Sequence, residues 1–137
     1  MKAQLNIALK CCFAVAVGFL IVACQRQQTT GNTAGPAGVY NLVSVDGKTV
    51  PASVSHEGAT LQVRSGAFTI NADGTCSSKL IFVPPSGTEE TREVSATYTR
   101  DGSKLTMQWK GAGTTVGTID GKTFTMDNEG MVFVYRK

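Results

Sequence analysis

The sequence predicts an all-β protein: an antiparallel up-and-down meander closed into a small eight-stranded barrel, preceded by a targeting segment and a flexible tether. Three observations carry this. Asp-Gly occurs four times, at Asp46-Gly47, Asp73-Gly74, Asp101-Gly102 and Asp120-Gly121, each between apolar-alternating runs. Gly adopts positive φ freely and Asp tolerates it, so the pair suits a two-residue hairpin turn. The runs themselves alternate with a period of two, and no window shows the period of a helix.

The targeting segment comes first. Residues 1–10 hold Lys2 and Lys10 and no acid, and the 13 residues from Cys11 to Ala23 are uncharged and apolar. A basic start followed by an apolar stretch of about 7–15 residues reads as a secretory signal, and it is short against the ~20 apolar residues of a membrane-spanning helix. Ile21, Val22 and Ala23 then precede Cys24. This run resembles the bacterial lipobox, with an aliphatic residue three before a cysteine and a small one directly before it. The resemblance implies that residues 1–23 are removed and that Cys24 is the first residue left, its sulfur carrying a diacylglycerol and its amine acylated. Only a thiolate can form that thioether, so the residue type at 24 is not interchangeable. Two or three acyl chains hold a protein to a membrane almost irreversibly. Gln25 rather than Asp follows, which points to the outer membrane of the bacterial envelope.

Residues 24–37 form the tether. "QRQQTTGNTAGPA", from Gln25 to Ala37, is rich in Gln, Thr, Gly and Pro and nearly free of large apolar side chains. The folded domain is expected over 38–137. After residue 23 there remain 11 basic and ten acidic residues, a formal net charge of +1, and no basic stripe of the kind that binds nucleic acid. Of the four cysteines, Cys11 and Cys12 leave with the signal and Cys24 is lipidated, so Cys76 stands alone and no intramolecular disulfide forms.

Within the domain, ten runs are candidate strands: 38–45, 48–51, 60–64, 67–71, 75–83, 92–100, 103–109, 114–119, 122–127 and 131–136. Fusion among the early ones leaves eight or nine strands. Ser65-Gly66 and Asn128-Glu129-Gly130 are expected as further turns. Leu105, Met107 and Trp109 share one face, as do Phe124 with Met126, Val94 with Ala96 and Tyr98, Cys76 with Ser78, Leu80 and Phe82, and Met131 with Phe133 and Tyr135. Such alternation means one buried and one wet face. Closing the meander into a barrel removes its exposed edges, and an open sandwich is the alternative use of the same strands.

"GVYNLVSVDGKTVP", "GAFTINADGTCS" and "TVGTIDGKTFTM…GMVFVYRK" together resemble the small bacterial lipocalin-like domains of the calycin type, over nearly all of 38–137. Typical members open with Gly-x-Trp, the ring packing against an Arg near the last strand. Gly38-Val39-Tyr40 stands in that place, Tyr replaces Trp, and Arg136 is the matching Arg. The resemblance implies an eight-stranded barrel that holds a small apolar ligand.

Eight strands enclose an interior that side chains either fill outright or leave open for one small ligand. Both outcomes are open. If there is a ligand, its wall is expected from Tyr40, Leu80, Phe82, Tyr98, Met107, Trp109, Phe124 and Met126, with the irregular stretch 48–59 and the loop 84–90 beside it, because binding residues concentrate on loops.

The remaining chemistry is sparse. His56, the single histidine, is expected on a surface loop, and one His with one Cys does not make a metal site, which needs three or four ligands. Cys76 is expected as a buried, inert thiol. Glu89, Glu90 and Glu93 follow a Pro/Gly loop and read as solvated rather than as a glycosidase pair. No catalytic or cofactor motif stands out, which argues against an enzyme. Two functional expectations follow: an envelope lipoprotein whose barrel binds a small apolar molecule or lipid, or a protein-binding module with a filled core, such as a protease or lysozyme inhibitor or an accessory in envelope assembly. The 84–90 loop is the feature the second would use.

Overall fold

A computed structural model describes residues 35–137. The expected signal segment, Cys24 and the tether as far as residue 34 lie outside the described residues.

Ten strands follow one another: β1 (Gly38–Val45), β2 (Lys48–Thr49), β3 (Ala52–His56), β4 (Ala59–Ile70), β5 (Thr75–Val83), β6 (Glu90–Asp101), β7 (Lys104–Trp109), β8 (Gly113–Asp120), β9 (Thr123–Asn128) and β10 (Met131–Arg136). All paired neighbours are antiparallel, and β4 through β10 form a plain meander. The meander closes because β1 pairs on both edges. Its first half, Gly38–Asn41, runs beside Ala67–Ile70 of β4. From Asn41 to Val45 it also runs beside β10. Eight strands, β1 and β4 to β10, thus make a closed barrel. At the far end of the β1–β4 seam the short β2 takes the edge of β1, and β3 takes Ala59–Val63 of β4. Asp46-Gly47, Asp73-Gly74 and Glu129-Gly130 sit in turns, whereas Asp101 and Asp120 end β6 and β8 and the turns there are Gly102-Ser103 and Gly121-Lys122.

One expected turn is absent. Runs 60–64 and 67–71 are a single strand, β4, and Ser65-Gly66 lies at a register shift inside it. The glycine serves space there rather than chain reversal. Gly66 is directly opposite Leu80, and a Cβ on it would sit 3.1–3.2 Å from carbons of Leu42 and Leu80. A second shift, between Leu42 and Ser44 of β1, turns Val45 inward in place of Ser44.

The inward faces are those the alternation predicts. Outer positions of β6, such as Glu93, Ser95, Thr97 and Thr99, are polar and exposed. That is the reverse of a lipid-spanning barrel, whose outer band is apolar. Inside, the end carrying the 71–74, 102–103 and 121–122 turns is packed solid by Tyr40, Ile70, Cys76, Leu105, Ile119 and their neighbours. Phe68, fully buried, stands at mid-height. Its ring lies 4.5 Å from that of Phe124, 5.7 Å from Tyr135 and 6.2 Å from Trp109, the last edge-on. Aromatic pairs at such separations add about 0.5–1.5 kcal/mol each beyond area burial.

The bottom end departs from the family pattern in one respect. Arg136 is exposed, paired across the ladder with Asn41. The cation over the Tyr40 ring is Lys137, its Nζ 5.4 Å from the ring centroid. The last strand's alternation explains this: Tyr135 points inward, so Arg136 must point out, and the next residue reaches back over the barrel's end. Lys137 Nζ also donates to the Ala37 carbonyl, and the Tyr40 hydroxyl donates to the Pro36 carbonyl at 2.8 Å. Among the described residues every core residue and every strand pairing lies within residues 38–137, so this segment carries its own core.

Phe68→Ala is expected to cost about 3–5 kcal/mol. Gly117→Ala is expected to cost about 1–3 kcal/mol by overpacking, because its Cβ would overlap the edge of the Phe124 ring, 2.7 Å from Cζ. Urea unfolding of both variants checks the pair; a change under about 0.5 kcal/mol in either contradicts this packing.

Candidate functional site

The filled lower half and the Phe68 ring leave a cup at the other end of the barrel. Its volume is about 210 Å³. The floor is Tyr135 with Ser78, and the walls are apolar: Leu61 from β4, Leu80 and Phe82 from β5, Val94 from β6, Trp109 from β7, Met126 from β9, and Met131 and Phe133 from β10.

Of the eight side chains expected around a ligand, four line this cup: Leu80, Phe82, Trp109 and Met126. The others share the inward face but lie too low. Tyr40, Met107 and Phe124 are buried in the packed half. Tyr98 closes the bottom end, its hydroxyl donating to the Asn71 carbonyl at 2.7 Å. The period of two reports which face a residue takes and is silent on its height along the barrel. The interior is therefore neither filled nor open throughout.

Trp109 is held in place. Its Nε1–H donates to Thr115 Oγ1 at 2.8 Å, and that hydroxyl donates to Asn128 Oδ1 at 3.2 Å. Thr115 is opposite Met107 on the ladder and so faces inward, where a polar residue needs partners. With its N–H bonded to the wall, the indole offers the cup only apolar surface.

The rim is charged, and sequence reasoning missed it. His56 is the last residue of β3 rather than a loop residue, and its imidazole lines the cup with 20% of the side chain exposed. Its Nε2 is 3.7 Å from Glu129 Oε2 of the β9–β10 turn. On the other side of the mouth stand Arg92 and Lys110. Arg92 is directly opposite Leu80 on the β5–β6 ladder, so it faces inward. The signal was available: Arg92 has the parity of Val94, Ala96 and Tyr98. Lys110 is recruited where β7 ends, its N–H bonded to the Ser95 carbonyl at 3.3 Å.

The expected loops divide. Stretch 48–59 becomes β2, β3 and the turn that puts His56 at the mouth. Residues 84–89 border the mouth, yet none of them lines the cup. Glu89, Glu90 and Glu93 are exposed. Cys76 is buried in the lower half and is not offered to a partner. Among the described residues no three of His, Cys, Asp and Glu gather as metal ligands.

A scan of protein families and searches of the curated proteins and of the solved structures find no match to this chain.

Two buried acids set an alkaline limit. Burial pushes the Cys76 thiol up to about 11. Burial pushes the Tyr135 phenol up to about 12, with the neighbouring Ser78 hydroxyl partly opposing it. Unfolded, a thiol ionises near ~8.5 and a phenol near ~10. Both groups therefore favour the folded state fully below about pH 8.5, and that contribution is lost as pH rises toward about 11 to 12. The melting temperature is expected to fall steadily above about pH 9, and less steeply in Cys76→Ala up to about pH 11. Identical slopes in the two proteins would count against a buried thiol.

Proposed function

We propose that this protein is a lipid-anchored binding module of the bacterial envelope, and that the cup takes a small, mainly apolar molecule. The observation that carries the reading is an apolar cup at one end of a barrel otherwise packed solid. A core built only for stability has few voids larger than a water molecule. The cup's volume of about 210 Å³ also bounds the ligand. Drug-sized sites run from about 300 Å³ upward, and an apolar void of about 150 Å³ takes benzene. At about 30 Å³ per water-sized group, this cup holds about seven such groups. A whole diacyl lipid does not fit, whereas one ring or one short chain does.

Attachment follows from the lipobox resemblance at Cys24, which points to the outer membrane. The tether joins β1 at Gly38, beside Ile70 and the packed end, so the cup opens at the end away from the point of attachment. On this reading the module takes its ligand from the aqueous side. The protein-binding alternative relied on a filled core and on the 84–90 loop, which contributes nothing to the cup. We assign no catalytic step.

Growth of cells expressing the full chain with an alkyne fatty acid should label the protein, and Cys24→Ser should abolish both the label and membrane association; a labelled serine variant would refute the anchor. For the cup, native mass spectrometry of residues 25–137 after incubation with an envelope extract should show an added mass of roughly 100–150 Da, the size of about seven to ten heavy atoms. A bound protein, or no added mass at all, would refute small-molecule binding.

A further inference from the structure

The cup's charges are not distributed evenly. Besides the Tyr135 phenol at the floor, four ionisable side chains reach it: His56, Arg92, Lys110 and Glu129. They divide by position around the barrel. His56, from β3, and Glu129, from the β9–β10 turn, meet on the side spanned by β1. Arg92 of β6 and Lys110 after β7 share the opposite side, their strands being neighbours. The carboxylate that lines the cup, Glu129, thus stands beside the histidine and not beside the two cations. Neither Arg92 nor Lys110 makes an ion pair with any described residue. Glu90 shares the inner face of β6 with Arg92 but lies beyond the cup, exposed.

Arg92 has the inward parity of Val94 and Ala96 and, being nearest the mouth, brings a cation to the edge of an apolar wall. Arg92 and Lys110 are both exposed at the mouth, so their charges stay hydrated and free to meet a ligand that enters the cup. A planar guanidinium presents forked donors suited to a carboxylate or phosphate, and an ammonium beside it adds a point charge. Leu80 stands level with Arg92, and below them the wall is Val94 and the face of Trp109, over the floor of Ser78 and Tyr135. Apolar depth under a cationic rim is complementary to a molecule with the opposite ends.

We propose that the cup is specific for an anionic amphiphile of one short chain or one ring, its apolar end against Trp109 and Val94 and its acidic group held between Arg92 and Lys110. The proposal rests on the reading of the cup as a binding site and adds to it the sign of the ligand's charge, the place of that charge and the limit on chain length. Glu129 stands beside His56, across the mouth from Arg92 and Lys110 and so away from the ligand's own acid.

Trp109 is the only tryptophan, so its fluorescence reports the cup directly. The test titrates residues 25–137 with octanoate, octan-1-ol and octyltrimethylammonium, which share a tail and differ in charge. Octanoate is expected to bind about tenfold more tightly than octanol, the scale of two partly exposed ion pairs, and the preference should shrink as salt is raised. In Arg92→Glu/Lys110→Glu, octyltrimethylammonium should become the tightest of the three, with circular dichroism confirming the β-sheet. Equal binding of octanoate and octanol, or a preference for octanoate that survives charge reversal, would overturn the anionic clamp while leaving the cup as a site. Failure of all three to bind would overturn the clamp and the binding module together.

Discussion

The contact on which this barrel depends is the packing of the Phe68 ring against Phe124, Tyr135 and Trp109. These four side chains come from β4, β9, β10 and β7, so one ring ties four staves of the barrel across its axis. It also divides the interior. Below it Leu105, Met107, Ile70 and Ile119 close the space. Above it the same strands enclose a cup. Neighbouring glycines make the arrangement possible: Gly117 leaves room for the edge of Phe124, and Gly66 leaves room for Leu42 and Leu80. A side chain at either position would displace part of the divider or its supports.

Closure follows the same economy. β1 pairs with β4 over its first half and with β10 from Asn41 on, and its later half leaves the β4 edge to β2 and β3. The short β3 therefore exists at the mouth because the first strand leaves the seam open there. That local need places His56 beside the cup. The seam's tight end is capped by Lys137 over Tyr40, while its loose end carries the functional rim.

Much of this was legible in the residues. Asp-Gly turns and alternating runs fixed the all-β meander, and parity placed Leu105, Met107, Trp109, Phe124, Met126, Phe133 and Tyr135 on the inner face. What parity cannot convey is height. Met107 and Trp109 are two residues apart on one strand, yet one is sealed below Phe68 and the other forms the cup's wall. Shifts of register were also hidden, because Ser65-Gly66 has the composition of a turn and only its neighbours, Leu42 and Leu80, reveal that the glycine is there for space. The rim was missed for a third reason. Arg92 and His56 are charged or titratable, and a charged residue near a strand end reads as solvated until the ladder shows that Arg92 stands opposite Leu80.

The division of the barrel at Phe68 is the central claim, and methyl NMR tests it most directly. Residues 25–137, labelled at Ile, Leu, Val and Met methyl groups, would be titrated with toluene, an uncharged ligand of about the cup's size. Shifts confined to Leu61, Leu80, Val94, Met126 and Met131, with Ile70, Leu105, Met107 and Ile119 unmoved, are the predicted result. Shifts running the length of the barrel would mean that the lower half is not packed solid, and an unperturbed spectrum would mean that the cup is closed to ligands.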